Sequence, residues 1–114
     1  MTMSKGEVWL VNLDPTIGDE IRKQRPAVII SRDAMGILAL RVVVPITAWQ
    51  QRFEGCDWLI RLDPDATNGL DKSSVADTFQ VRSVSTKRLV RRLGQLTSAD
   101  LKRVADGLRT VFEL

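Results

Sequence analysis

Apolar positions fall into short β-branched runs separated by turn chemistry, with one helical repeat at the end. Glu7-Val8-Trp9-Leu10-Val11-Asn12-Leu13 reads as a first strand, apolar on both faces. Asp14-Pro15-Thr16-Ile17-Gly18 supplies a turn, because proline presets φ and glycine tolerates positive φ. Ala27-Val28-Ile29-Ile30 predicts a buried second strand. Pro26 fits its first residue, where a missing N–H costs least, and biases Arg25 to an extended backbone. After Ser31-Arg32-Asp33, a short turn around Met35-Gly36 leads into a third strand over 38–46, centred on Val42-Val43-Val44. Pro45 implies a sheet edge or a bulge there, and Thr47 emerges where the strand stops.

Residues 48–57 form a polar loop in which Trp49 and Phe53 either cap the core or contact a ligand or second chain. A fourth strand spans 58–62, with Trp58, Ile60 and Leu62 on one face. A loop rich in turn formers follows. Residues 74–84 then alternate as one strand: Val75, Phe79 and Val81 face one way, Thr78, Gln80 and Arg82 the other. One helical turn is expected over 83–88, and residues 89–96 read as strand rather than helix because of Gly94 and the helix cap just beyond. Thr97 is the predicted N-cap, with Asp100 at the third helical position. Leu101, Val104, Leu108 and Val111 recur at helical spacing, so an amphipathic helix ends the chain. The sum is β-rich α+β: a small, strongly curved sheet or barrel closed by a C-terminal helix, in one domain over 1–114.

Charge sharpens one place. Between turn and second strand, Asp19, Glu20, Arg22, Lys23 and Arg25 crowd a short polar segment. Alone, that segment reads as a solvated connection; the sharper reading is an anion-binding corner, since Arg25 is held at the mouth of a strand. Composition narrows the chemistry further. Histidine is absent, which removes His-based acid–base pairs, Ser-His and Cys-His nucleophiles and nearly all transition-metal sites. The single cysteine, Cys56, excludes an intrachain disulfide and a multi-thiolate zinc site, and reads as a small half-buried side chain. Catalysis, if any, runs on carboxylates, hydroxyls, Arg or Lys. With no tyrosine and 5% aromatics, a platform stacking several bases is not expected. The net charge of +3 fits a nucleic-acid or acidic-partner surface. No apolar run reaches membrane-span length and the first residues do not resemble a signal peptide, so a cytoplasmic protein is expected.

The ordered segments GEVWLVNLDPTIGDEIRKQRPAVIIS, VVVPIT and FQVRSVSTKRL, followed by a terminal helix, resemble the MazF/PemK toxins over nearly the whole chain. The most specific pieces are Asp14-Pro15-Thr16, the spacing Gly18-x-Glu20-x4-Arg25-Pro26, Pro45-Ile46-Thr47, and Gln80-Val81-Arg82 before Lys87-Arg88-Leu89. The resemblance implies an SH3-like barrel, a homodimer and a ribosome-independent endoribonuclease cutting single-stranded RNA at short specific sequences, without metal or other cofactor. It also implies a cognate acidic antitoxin that covers the active site. The family's catalytic Arg falls on Arg25, its catalytic Thr on Thr47 and its upstream acid on Glu20. Ser73 stands where many relatives carry an acid.

The chemistry is arguable on its own. Cleavage by a neighbouring 2′-OH needs that hydroxyl activated, charge at phosphorus stabilised and the 5′-oxygen protonated. Arg25 offers permanent charge and forked donors matched to phosphate oxygens. Thr47 donates to a phosphate oxygen or orients the 2′-OH. For Glu20 two roles stand open, proton acceptor or structural ion pair with Arg22 or Arg25. Arg22, Lys23, Gln80 and Arg82 are candidates for RNA contact. Two alternatives remain: a same-fold toxin that poisons DNA gyrase, and a catalytically silent barrel that binds RNA or protein. Gyrase-poisoning relatives depend on a terminal Trp-Gly-Ile, whereas this chain ends Phe112-Glu113-Leu114.

Overall fold

The computed structural model describes residues 2–33 and 37–114. The predicted turn at Met35-Gly36 therefore lies outside the described residues. Among the described residues there are seven strands: β1 (Glu7–Asn12), β2 (Gln24–Ile29), β3 (Leu40–Ala48), β4 (Leu59–Leu62), β5 (Ser74–Asp77), β6 (Arg82–Ser85) and β7 (Leu89–Gln95). The α-helix α1 (Ser98–Phe112) follows them. The order across the sheet is β4-β5-β3-β2-β1-β7, with β6 beside the first half of β3, and every pairing is antiparallel. The sheet curves into a barrel-like form without closing on itself.

The long strand β3 makes that curve. Residues 40–43 pair with β6 and residues 46–48 with β5, while β2 runs along its other side opposite 43–45. Pro45 lies at the changeover, where neither β5 nor β6 is paired, so its missing N–H breaks no ladder on that side. This corrects the expectation of a sheet edge: Pro45 belongs to a central strand. Pro26 likewise is the third residue of β2, opposite Leu10, and not the first.

A sheet covered on both faces needs both faces apolar, and β1–β3 supply that. The row Val8, Val28 and Val44 joins Ile46, Leu62, Ala76, Leu96 and Val104 in the cluster under α1. The alternate residues Trp9, Val11, Ala27, Ile29 and Val43 pack on the opposite face with Leu13, Val84 and Leu89, covered by Met3 and Ile21. The loop over 13–23 is thus the lid of the second core, and its Ile21 is an anchor. Helix α1 begins as predicted, with Thr97 Oγ1 accepting from the Asp100 N–H at 3.1 Å.

Residues 74–84 do not form one strand. Asp77 ends β5 by accepting from the Phe79 N–H at 3.1 Å, and Thr78–Gln80 make a 3₁₀ turn before β6. A 3₁₀ turn rotates successive side chains by about a third of a circle, where a strand alternates them. Thr78 is therefore buried, donating to Trp58 O at 2.6 Å, and Phe79 is 68% exposed. The Phe79 ring meets Trp58 edge-on at 6.4 Å, and Trp58 precedes β4 without belonging to it. The predicted turn over 83–88 is confined to Thr86–Arg88, after β6.

Candidate functional site

Arg25 and Thr47 line one open cleft of about 430 Å³. The β2–β3 register pairs Ala27 with Pro45, and continuing it by two residues sets Arg25 across from Thr47, beyond the last ladder pair. The Nε of Arg25 donates to Arg22 O at 3.3 Å, which orients the side chain and leaves its terminal nitrogens unbound by any described residue. The other walls come from β7, with Arg91, Arg92 and Leu93, and from the loop residues Gly69, Leu70, Asp71 and Lys72. Arg92 is held by Glu7 at 3.2 Å. Four cations and one carboxylate, Asp71, therefore line the cleft, a positive concavity suited to a phosphate chain.

The loop that supplies Asp71 and Lys72 is built from its own polar groups. Buried Asn68 donates to Asp63 O at 2.8 Å and accepts from Leu70 N at 3.0 Å. Asp65 accepts from the N–H groups of Thr67 and Asn68, both at 2.8 Å, and these bonds hold its carboxyl below the ordinary value. Asp63 is lowered too, first by the Ser73 hydroxyl and then by Arg61. A depressed carboxyl contributes stability above its unfolded pKa of 3.8, and that contribution is lost as pH falls through the folded value. Asp65→Asn keeps an acceptor but removes the titration. Its melting temperature is expected to fall less steeply than wild type's below about pH 4; superimposable curves would contradict the assignment. Asp77, half-buried, is shifted the other way by desolvation, so its contribution is lost as pH rises.

The profile of the PemK-like, MazF-like toxins of type II toxin–antitoxin systems matches residues 4–112. The chain belongs to that family. It is 34% identical over 118 aligned positions to a protein named endoribonuclease MazF9 from Mycobacterium tuberculosis, covering 98% of each chain. Its fold matches a crystal structure of MazF from Deinococcus radiodurans with a TM-score of 0.82 at 23% identity, covering 100% of this chain and 99% of that one. It also matches a mycobacterial endoribonuclease solved in complex with its cognate antitoxin, with a TM-score of 0.78 at 19% identity over 99% and 97% of the chains.

Within this MazF/PemK fold, the residues singled out from sequence separate into two groups. Arg25 and Thr47 share the cleft; Glu20 does not line it. Glu20 lines another depression with Pro45, Phe79, Gln80 and Arg82, and its carboxylate accepts from the Ile17 N–H at 2.6 Å. Among the described residues it makes no ion pair with Arg22 or Arg25. Gln80 and Arg82 do not share a strand face. The Gln80 carboxamide accepts from Ile21 N at 2.6 Å and donates to Asp19 O at 3.3 Å and Asp77 Oδ2 at 3.1 Å. Arg82 donates to Leu13 O at 3.1 Å. Both pin the 13–23 loop that leads into Arg25. Arg88 assists by donating to Asn12 O at 3.1 Å and to Asp14 O.

Arg22 and Lys23 are exposed on that loop. Lys23 has a positive φ of 70°, a conformation stabilised where its carbonyl accepts from Leu13 N at 2.9 Å. Trp49 is half-buried, with the Arg61 guanidinium 4.4 Å from its ring centre. The sequence reading missed Asp71, Lys72, Arg91 and Arg92 as cleft residues. The adjacent arginines in an otherwise apolar strand were the available signal.

Proposed function

We propose that this toxin is an endoribonuclease that cuts single-stranded RNA at specific short sequences, independently of ribosomes and of metal, using Arg25 and Thr47. The observation that carries it is their placement side by side in a cationic cleft, in a chain of the PemK-like, MazF-like toxin family whose 34%-identical relative is named an endoribonuclease. In the reaction, the 2′-oxygen bonds to phosphorus, the 5′-oxygen leaves, and the 2′-proton passes to the protein while the leaving oxygen gains one. Arg25 stabilises the charge that accumulates on the phosphoryl oxygens. Thr47 donates to one of those oxygens or holds the attacking hydroxyl. Cut RNA then carries 2′,3′-cyclic phosphate and 5′-hydroxyl ends, and one 2′-deoxy sugar at the cut site abolishes cleavage there. Products with 5′-phosphate ends would overturn this chemistry.

The proton acceptor in this proposal is Glu20, whose carboxylate accepts from the Ile17 N–H and lines another depression in the structure. Glu20→Gln keeps an acceptor for that N–H but takes no proton. It is expected to lower cleavage on the order of 10²-fold at an unchanged melting temperature. Wild-type cleavage by Glu20→Gln would transfer the role to Asp71, the carboxylate already in the cleft.

An acidic antitoxin segment is the second partner in this reading, since a type II toxin has a protein antitoxin and the cationic cleft suits it as it suits RNA. A homodimer in the cytoplasm completes the proposal; no helix among the described residues is long and apolar enough to cross a membrane. The gyrase-poisoning alternative is less well supported, because the relatives are named endoribonucleases.

A further inference from the structure

Strand β7 brings three successive residues, Arg91, Arg92 and Leu93, to the wall of the cleft. In a regular strand neighbouring side chains point to opposite faces. Here the register against β1 shifts twice: Val8 pairs with Gly94 but Trp9 with Arg92, and Leu10 pairs with Arg91 but Val11 with Leu89. Leu93 and Val90 are the extra residues, and such bulges re-aim the side chains beside them. The two arginines so placed differ in one respect. Arg92 is engaged, by Glu7 at 3.2 Å and Gln95 Oε1 at 3.3 Å. Arg91 is exposed, and its guanidinium has no hydrogen bond or ion pair with any described residue.

Lys72 is in the same condition. It comes from the loop packed onto β7 where Gly69 meets the Leu93 carbonyl, and its ammonium is also without a described partner. Position follows from register. Arg91 lies opposite Leu10, and Leu10 lies opposite Pro26, the neighbour of Arg25. Arg91 and Arg25 therefore project from backbones two strand spacings apart, roughly 10 Å. That separation suits a phosphate one or two nucleotides along the chain, not a second grip on the same one.

We propose that Arg91, with Lys72, forms a second phosphate subsite that holds the RNA backbone beside the phosphate at Arg25. The proposal rests on the RNA-cleaving reading for its ligand, but its signature is equilibrium binding and needs no cleavage. Each phosphate neutralised on a single strand releases counterions, so log K against log salt falls with a slope of about 0.7 per contact.

The probe is a mixed-sequence single-stranded RNA made uncleavable by 2′-O-methyl sugars, titrated over a range of salt in EDTA. Arg91→Ala is expected to reduce the slope by about 0.7, and Arg91→Ala/Lys72→Ala by about twice that. Arg91→Lys keeps the charge and restores the slope. Lys102→Ala, an equal loss of charge on α1 where Lys102 pairs with Asp106, leaves it unchanged. A wild-type slope in Arg91→Ala, an equal drop in Lys102→Ala, or no binding by wild type overturns the subsite. Binding with the predicted slopes, but no cleavage of the 2′-hydroxyl form by wild type, sinks the nuclease reading alone; cleavage with an unaltered Arg91→Ala slope sinks the subsite alone.

Discussion

Arg25→Ala is expected to lower RNA cleavage on the order of 10²-fold or more while leaving the fold intact. The first half follows from where charge develops. The guanidinium lines the cleft with its terminal nitrogens unbound, and Thr47 stands across the continued β2–β3 register. Donors fixed in place before reaction lose no energy to reorganisation as phosphoryl oxygens gain charge. The second half follows from what Arg25 does not do. Its described bond is from Nε to Arg22 O, at 3.3 Å, and β2 is held by Ala27, Val28 and Ile29 in the two cores. The melting temperature should therefore stay near wild type. Arg25→Lys tests the geometry separately: it retains the charge but loses the forked donors, so it should recover only part of the rate. A folded Arg25→Ala protein cutting at the wild-type rate would place the active site elsewhere.

Gly94→Ala is the largest structural effect expected. Its φ lies outside the left-handed region, so the substitution tests space alone. A Cβ at Gly94 would sit 2.3 Å from Thr67 O, 2.5 Å from the Asn68 carbonyl carbon and 2.7 Å from Gly69 N. All three are backbone atoms, which give way only if the loop moves. The same contact is tight from the other side, where a Cβ on Gly69 would fall 2.1 Å from Leu93 O. Overpacking of this kind costs roughly 1–3 kcal/mol and sometimes more. Each kcal/mol corresponds to about 4–8 °C of melting temperature in a domain of roughly 100 residues. The displaced loop carries Asp71 and Lys72, so KM for RNA should rise more than kcat falls. A Gly94→Ala protein with wild-type melting temperature and KM would refute this packing role.

How far the sequence revealed the molecule depends on which contacts decide each element. β1, β2 and β3 were legible because both faces of the sheet are buried, which leaves β-branched runs such as Val42-Val43-Val44. Helix α1 was legible from its cap and its apolar spacing. Residues 74–84 misled because Val75, Phe79 and Val81 imitate an alternating strand. What breaks that strand is the Asp77 carboxylate capping the Phe79 N–H, together with the Thr78 hydroxyl bonding Trp58 O, twenty residues back in the chain. Pro45 misled for a related reason: local chemistry points to an edge, while a strand that changes partners offers a gap inside the sheet. In the site, the family resemblance marked Arg25 and Thr47, where the local segment alone read as a solvated connection, and register brings them to one cleft. Arg91, Arg92, Asp71 and Lys72 were not legible, since two bulges and the Gly69–Gly94 approach deliver them. Gln80 and Arg82 looked like free polar residues, and only tertiary structure shows them bonded to the 13–23 loop.

The most direct test of the central claim is to incubate purified wild-type and Arg25→Ala proteins, each shown free of antitoxin, with a long defined single-stranded RNA in excess EDTA, mapping every new end. Discrete wild-type ends that share a short sequence and disappear in Arg25→Ala are the predicted result. RNA left intact by the wild type, or the same ends produced by both proteins, would contradict it.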